Sequence, residues 1–255
     1  VLLCEDESVL GGPFAVAAFV EGDVIRSLTD LDAVDDDGLH QLTEALVATL
    51  ATLHRVDHVA VGLEGLGRPD GYSERQLKRW IGQWDTVGIP ALTAVANELA
   101  GRLSADVPAQ TRTGIVHGDF RIDNVLLDLS TTAPAVEAVV DWELCTIGDP
   151  AADVAMMCAY RNPAFDRVVG GPSAWTSARL PDAQELAGAY ERAAGVTLAN
   201  WSFQIALAHF KVAVIAAGID YRYRMCSGAG PGFDSAGEAV EPYLHAGLVA
   251  LQEES

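Results

Sequence analysis

Asp119, Asn124 and Asp141 are the residues whose types and spacing best suit a chemical task. The first two lie in IVHGDFRIDNVLLD (residues 115–128), and the third lies in VVDWELCTIGDP (residues 139–150). Asp119 and Asn124 form a D-x-x-x-x-N loop behind His117-Gly118, and Asp141 follows 17 residues after Asn124. Antiparallel pairing of the apolar runs around them would bring Asn124, at the start of one strand, beside Asp141, at the end of the next. An amide oxygen and a carboxylate would then face one pocket. That donor set suits Mg²⁺, which prefers oxygen and leaves most of its shell to phosphates and water. Asp119, outside the shell, would accept or orient a hydroxyl proton. Phosphoryl transfer needs this division of labour, because positioning and charge neutralisation supply most of its catalysis. Two plainer readings compete. Asp and Asn also shape turns through local hydrogen bonds, and paired carboxylates also hydrolyse glycosides, although Asn124 would then have no task.

Short strands must carry these residues: GIVHG, NVLLDL and EAVVDWE, the last two joined by the polar turn STTAPA. Upstream, VLLCEDESV and GPFAVAAFVEG read as a hairpin turning through Gly11-Gly12, and EGDVIRSLTDLDAVD reads as a polar connector. From Asp36 the spacing of Leu39, Leu42, Leu46, Leu50 and Leu53 predicts an amphipathic helix. Acidic residues at its start and His54-Arg55 at its end suit the helix dipole. Further helices are expected in SERQLKRWIGQWDTV, PALTAVANELAGRL, AADVAMMCAYR, DAQELAGAYERAAG and WSFQIALAHFKVAVIAAGIDYRYRM.

HGDFRIDN together with VVDWE resembles the aminoglycoside phosphotransferase family, relatives of the protein kinases with the same two-lobed fold. CEDESVLGGPFAVAAFVEG is similar to that family's hinge strands, LATLHRVD to its post-hinge helix and IGDPAADVA to the segment after the metal aspartate. The nearest likeness is to the kinase-like domains related to those fused to acyl-CoA dehydrogenases. The resemblance implies an α+β, kinase-like fold: residues 1–22 as the remnant of an N-terminal β lobe and hinge, residues 23–255 as a helical C-terminal lobe with a catalytic hairpin. It implies Asp119 as catalytic base, Asn124 and Asp141 as magnesium ligands, His117 as brace of the loop and Asp153 as a buried support. The backbone of Ala18, Phe19 and Val20 would meet the adenine of ATP. Ala17 and Ala18 stand where members often carry Met and Glu, and Gly118 where kinases carry Arg. The family also needs a phosphate-covering loop and a strand lysine before the hinge, whereas Lys78 and Lys211 both lie downstream. The expectation is a chain truncated in its N-terminal lobe. The alternative is a degenerate, non-catalytic nucleotide- or ligand-binding module.

The chain has 255 residues, half of them hydrophobic, with 16 Lys+Arg against 36 Asp+Glu for a net charge of −20. Such a field disfavours nucleic acid and anionic membranes as partners, and mildly favours cationic small molecules. Four scattered cysteines without a C-x-x-C pair suit a reducing cytoplasm. No apolar run is read as approaching the ~20 residues that span a bilayer. The expected acceptor is a small-molecule hydroxyl, either an aminoglycoside-like amine or a metabolite such as a hydroxyacyl thioester. The sequence leaves the oligomeric state open. His54 and His58 have metal-ligand spacing but no third ligand, so an end-of-helix role is preferred. Trp80 and Trp84 suit core packing or an aromatic wall against the acceptor. Arg121 suits either a phosphate contact or an ion pair with Asp123. Asp128 reads as a hairpin-turn residue and Asp149 as a helix cap. Glu143 fits a water-mediated metal contact or plain solvation, and Tyr221 to Arg224 fit a helix end.

Overall fold

The computed structural model describes residues 2–130 and 134–252. The chain opens with an antiparallel pair, β1 (Leu2–Cys4) and β2 (Phe14–Val16). Their connection is not a Gly11-Gly12 turn. It contains a single helical turn, α1 (Glu7–Leu10), capped by Asp6, whose carboxylate accepts from Ser8 N at 2.9 Å. Gly11 closes that turn at φ +83°, a left-handed conformation that glycine adopts without penalty. The expected polar connector likewise holds a helix, α2 (Leu28–Asp32), started by a reciprocal cap between Ser27 and Asp30.

α3 (Asp36–Arg55) follows the leucine spacing read from the sequence. Asp35 caps it, accepting from Gly38 N at 2.8 Å, and Leu39, Leu42, Leu46 and Leu50 are buried on its inner face. α4 (Tyr72–Val87) and α5 (Thr93–Ala105) come next. Then come three short strands, β3 (Gly114–Val116), β4 (Val125–Asp128) and β5 (Ala135–Val139). β4 and β5 pair antiparallel as expected, with Val125 opposite Val139 and a bulge between Leu126 and Leu127. Residues 131–133 of their turn lie outside the described residues. β3 pairs instead with β6 (Thr146–Gly148), a strand too short to show a period in sequence.

α6 (Pro150–Ala159), α7 (Phe165–Val169), α8 (Ala183–Ala194), α9 (Trp201–Arg224) and α10 (Val240–Ala250) complete the body. Asp149 caps α6 through Ala151 N at 3.0 Å, with Pro150 at the first helical position, where its missing N–H costs nothing. α9 is the central post, packed against α4, α6 and α10. At 24 residues it is long and apolar enough to cross a membrane, contrary to the reading that no such run exists. Some 67% of its apolar window is buried inside the fold, so its hydrophobicity is that of a core helix.

The front segment is stitched to the β4–β5 hairpin by a pair of backbone hydrogen bonds. Asp23 N donates to Leu127 O at 2.8 Å, and Leu127 N donates to Asp23 O at 2.9 Å. Gly22 permits this approach, since a Cβ there would come within 3.0 Å of Leu126 Cβ.

Candidate active site

Register brings the predicted residues together. Val140 N donates to Asn124 O at 3.0 Å, so Asp141 begins one residue beyond the paired position, on the arm facing Asn124. Asp141 sits at φ +65° and ψ +53°, a left-handed conformation that aspartate tolerates better than most residues. Its side chain reaches solvent at the end of β5, and Trp142 and Glu143 beside it are exposed as well. Asn124 is buried, and its Nδ2 donates to Asp119 O at 2.8 Å and to Asp119 Oδ2 at 3.2 Å. Those two bonds fix the amide orientation and leave Oδ1 as the free acceptor. An oxygen donor is thereby held ready, which is what a hard cation requires. The residues therefore fit Mg²⁺.

The loop is braced from beneath. His117 is fully buried; its Nδ1 accepts from Asp119 N at 3.3 Å and its Nε2 donates to Val140 O at 2.8 Å. That pairing selects the Nε2–H tautomer. Asp153 accepts from His117 N at 2.6 Å, Gly118 N at 2.8 Å and His54 Nε2 at 3.2 Å. Burial pushes the Asp153 carboxyl up, but His54 and the two loop amides outweigh it and hold its pKa below the ordinary value. His54 is buried too, its Nδ1 at 2.8 Å from Tyr190 Oη. Gly118 takes φ +87° against Leu144, where a side chain would collide.

The model of the phosphotransferase enzyme family, APH, matches residues 1–203. The chain belongs to that family. Acyl-CoA dehydrogenase family member 11 of Gallus gallus is 35% identical over 97% of this chain, and the probable acyl-CoA dehydrogenase IBR3 of Arabidopsis thaliana is 34% identical over 92%. This chain spans only 32% and 29% of those two relatives, about a third of their length. A crystal structure from Ralstonia eutropha JMP134, provisionally described as an aminoglycoside phosphotransferase, superposes with a TM-score of 0.85 at 28% identity, covering 99% of this chain and 77% of that one. The GDP and kanamycin complex of APH(2")-IIIa gives a TM-score of 0.63 at 14% identity over 98% of this chain and 75% of that one, which is agreement of fold. The phosphotransferase fold is thus protein-kinase-like, 55% helical, with a short strand-bearing front.

Within the loop, Arg121 is an ion-pair residue. Its Nη2 lies 3.3 Å from Asp119 Oδ2 and 3.4 Å from Asp123 Oδ2, while the guanidinium stands 5.2 Å from the ring centres of Tyr160 and Phe165. Burial opposes its charge, but Asp119 and Asp123 outweigh burial and hold its pKa above the ordinary value. Burial pushes Asp123 up, with Arg121 opposing. Tyr160 is kept protonated first by burial and then by the charge of Asp119.

Ala18, Phe19 and Val20 form an exposed, irregular stretch, with Phe19 92% accessible. Among the described residues, no backbone group from Ala18 to Gly22 has an intrachain hydrogen bond, so their donors and acceptors are free for a ligand. His54 and His58 do not share a metal. His54 turns inward to Asp153, and no group of three His, Cys, Asp or Glu side chains suited to a metal occurs among the described residues. Trp80 and Trp84 are buried against the core. Asp128 closes a local turn on Ser130, Asp149 caps α6, and Arg224 pairs with Asp220 one helical turn away.

Two contributors escaped the sequence reading. His54 passes for a helix-end cation, yet it anchors Asp153. Lys211 was set aside as a downstream helical lysine, yet its Nζ reaches Gly118 O at 3.3 Å. A signal for Lys211 existed: it is the one charged residue in the apolar run from Trp201 to Gly218.

Proposed function

We propose that the chain carries the catalytic body of a phosphotransferase that moves the γ-phosphoryl group of ATP to a hydroxyl of a small metabolite. The observation supporting this reading is the pairing of Asn124 with Val140, which sets Asn124 and Asp141 on facing arms beside Asp119. The backbone from Ala18 to Gly22 would hold the adenine. Asn124 Oδ1 and the Asp141 carboxylate would hold Mg²⁺, which when bound neutralises charge on the phosphates.

Asp119 orients the acceptor hydroxyl and takes its proton as the oxygen bonds to phosphorus and the bond to the ADP bridging oxygen breaks. Asn124 Nδ2 and Arg121, both on Asp119 Oδ2, aim the carboxylate and leave Oδ1 for the incoming proton. Asp153 and His117 keep the loop from yielding when the acceptor arrives.

The relatives named for acyl-CoA dehydrogenases favour a hydroxyacyl metabolite over an antibiotic as acceptor. The assay is ADP release by the full-length protein with Mg²⁺-ATP across a panel of hydroxylated acids, acyl thioesters and kanamycin. Asp119→Ala should lower kcat about 10²- to 10⁴-fold, the range for loss of a general base, with ATP affinity within twofold of the parent. Undiminished turnover would remove Asp119 from its role.

A further inference from the structure

Two adjoining depressions lie where α4 meets α6 and α9. The inner slot, ≈ 20 Å³, is walled by Tyr72, Gln76 and Trp80 on one side and by Gln204 and Lys211 on the other. The outer basin, ≈ 300 Å³, shares Tyr72 and Gln76 and adds Arg68, Arg75 and Thr146. Helical spacing builds the slot. Tyr72, Gln76 and Trp80 recur every fourth residue along α4, and Gln204 and Lys211 lie seven apart on one stripe of α9.

The chemistry of this cleft runs against the rest of the molecule. The chain has 36 acidic and 16 basic residues, yet no carboxylate lines either depression, while Arg68, Arg75 and Lys211 do. The groove of ≈ 710 Å³ beside α2 and α3 shows the opposite character, lined by Asp23, Asp30, Asp35 and Asp37. Lys211 has no carboxylate within ion-pair distance among the described residues. Its partners are Gly118 O at 3.3 Å and the Trp80 ring at 5.7 Å, and the Arg79 guanidinium stands 5.4 Å from that same ring. Lys211 is part-buried, and a carbonyl and a ring face offset only part of the cost of drawing its charge away from water. Burial pulls the Lys211 pKa down, with Asp153 and Asp119 opposing. Gln204 adds a second unfilled valence: it is 2% exposed and its Oε1 has no partner among the described residues. Because Lys211 holds the carbonyl of the residue before Asp119, the slot ends at the catalytic loop.

We infer that this cleft seats the acceptor and that the acceptor has an anionic end, met by Lys211 at the slot and by Arg68 and Arg75 at the basin. The slot admits one or two oxygen atoms, and the basin takes the body of a small molecule. Whole-chain charge points to cationic acceptors; the local field points the other way. The inference rests on the phosphotransfer reading for the hydroxyl, and its test scores binding without transfer.

Calorimetry on the 255-residue chain would use 3-hydroxybutyrate and glycerol 3-phosphate as anionic probes, with methyl 3-hydroxybutyrate and kanamycin as neutral and cationic controls. At least one anion should bind at least tenfold more tightly than both controls, and the preferred probe distinguishes carboxylate from phosphate recognition. Lys211→Met should weaken that anion at least tenfold, and Lys211→Arg should recover part of the loss. Arg68→Glu, on an exposed side chain, should weaken it several-fold with an unchanged circular dichroism spectrum, and it decides the matter if Lys211→Met does not fold. Equal binding of the ester, tighter kanamycin, no binding of either anion, or an unchanged anion affinity in Arg68→Glu would overturn the inference. Phosphorylation of a neutral or cationic alcohol in preference to the anions would overturn it and leave the proposed function standing. Anion binding with no transfer to any alcohol would do the reverse.

Discussion

Replacing Asp153 by Asn tests whether the catalytic loop is held by charge or merely by shape. Three donors converge on the carboxylate: His117 N at 2.6 Å, Gly118 N at 2.8 Å and His54 Nε2 at 3.2 Å. A hydrogen bond to a charged group contributes roughly 1.5–3 kcal/mol. His117 N and His54 Nε2 share Oδ2, so an asparagine that sets its oxygen there keeps both and loses the bond from Gly118 N, which then faces an NH₂ group. The expected destabilisation is about 1.5–3 kcal/mol, against a typical total of roughly 5–15 kcal/mol. At about 2–4 °C per kcal/mol for a domain of this size, Tm should drop by roughly 3–12 °C. Differential scanning calorimetry at pH 7.5, with urea unfolding as a second measure, reads this directly. The pH dependence has a definite sign. The folded pKa of Asp153 lies below its unfolded value, so its stabilisation is complete above the unfolded pKa and fades as pH falls through the folded one. The gap between parent and variant should therefore be constant near neutrality and narrow only below about pH 4. A second arm pairs Asp153→Asn with His54→Gln, whose effects should be non-additive because the two side chains share one network. A loss under about 1 kcal/mol, or additive effects, would refute the account of a charge-held loop.

Two further predictions concern backbone and core. Gly118→Ala places a Cβ 2.9 Å from Leu144 Cβ and O in a left-handed conformation; it should destabilise by roughly 1–3 kcal/mol and cut turnover, measured by urea unfolding and ADP release. His209 has a buried Nδ1 without a partner, and burial pulls its pKa down to about 4. Above pH 7 both folded and unfolded forms are neutral, but from about pH 6.5 downward the unfolded chain takes the proton first. Parent stability should therefore fall on the order of 1–2 kcal/mol by pH 5, and His209→Leu should lack that component of the slope.

The nearness of Asn124 and Asp141 was legible because they flank one hairpin, where alternation of apolar residues fixes the partner of each position within a few residues, and Asp119 lies in the loop that leads into it. Asn124 and Asp141 needed only an antiparallel register, and β4 and β5 supply it despite their bulge. The supports were hidden by distance. His54 reaches Asp153 across 99 positions and Lys211 reaches Gly118 across 93, contacts that no local period encodes. β6 was missed for a different reason: three residues cannot display an alternation, and their pairing with β3 is set by the tertiary fold. α10 resembles its core-facing neighbours too closely in composition for its boundary to stand out.

The paired bonds between Asp23 and Leu127 have a mechanical consequence. They weld the strap downstream of Gly22 to the β4–β5 ribbon, so among the described residues the chain from Ala18 to Gly22 is left as an unbonded joint on that side. A swing of the leading strands would bend there and leave the spacing of Asn124 and Asp141 undisturbed; on the proposed function, nucleotide exchange and ion geometry would then be separately adjustable.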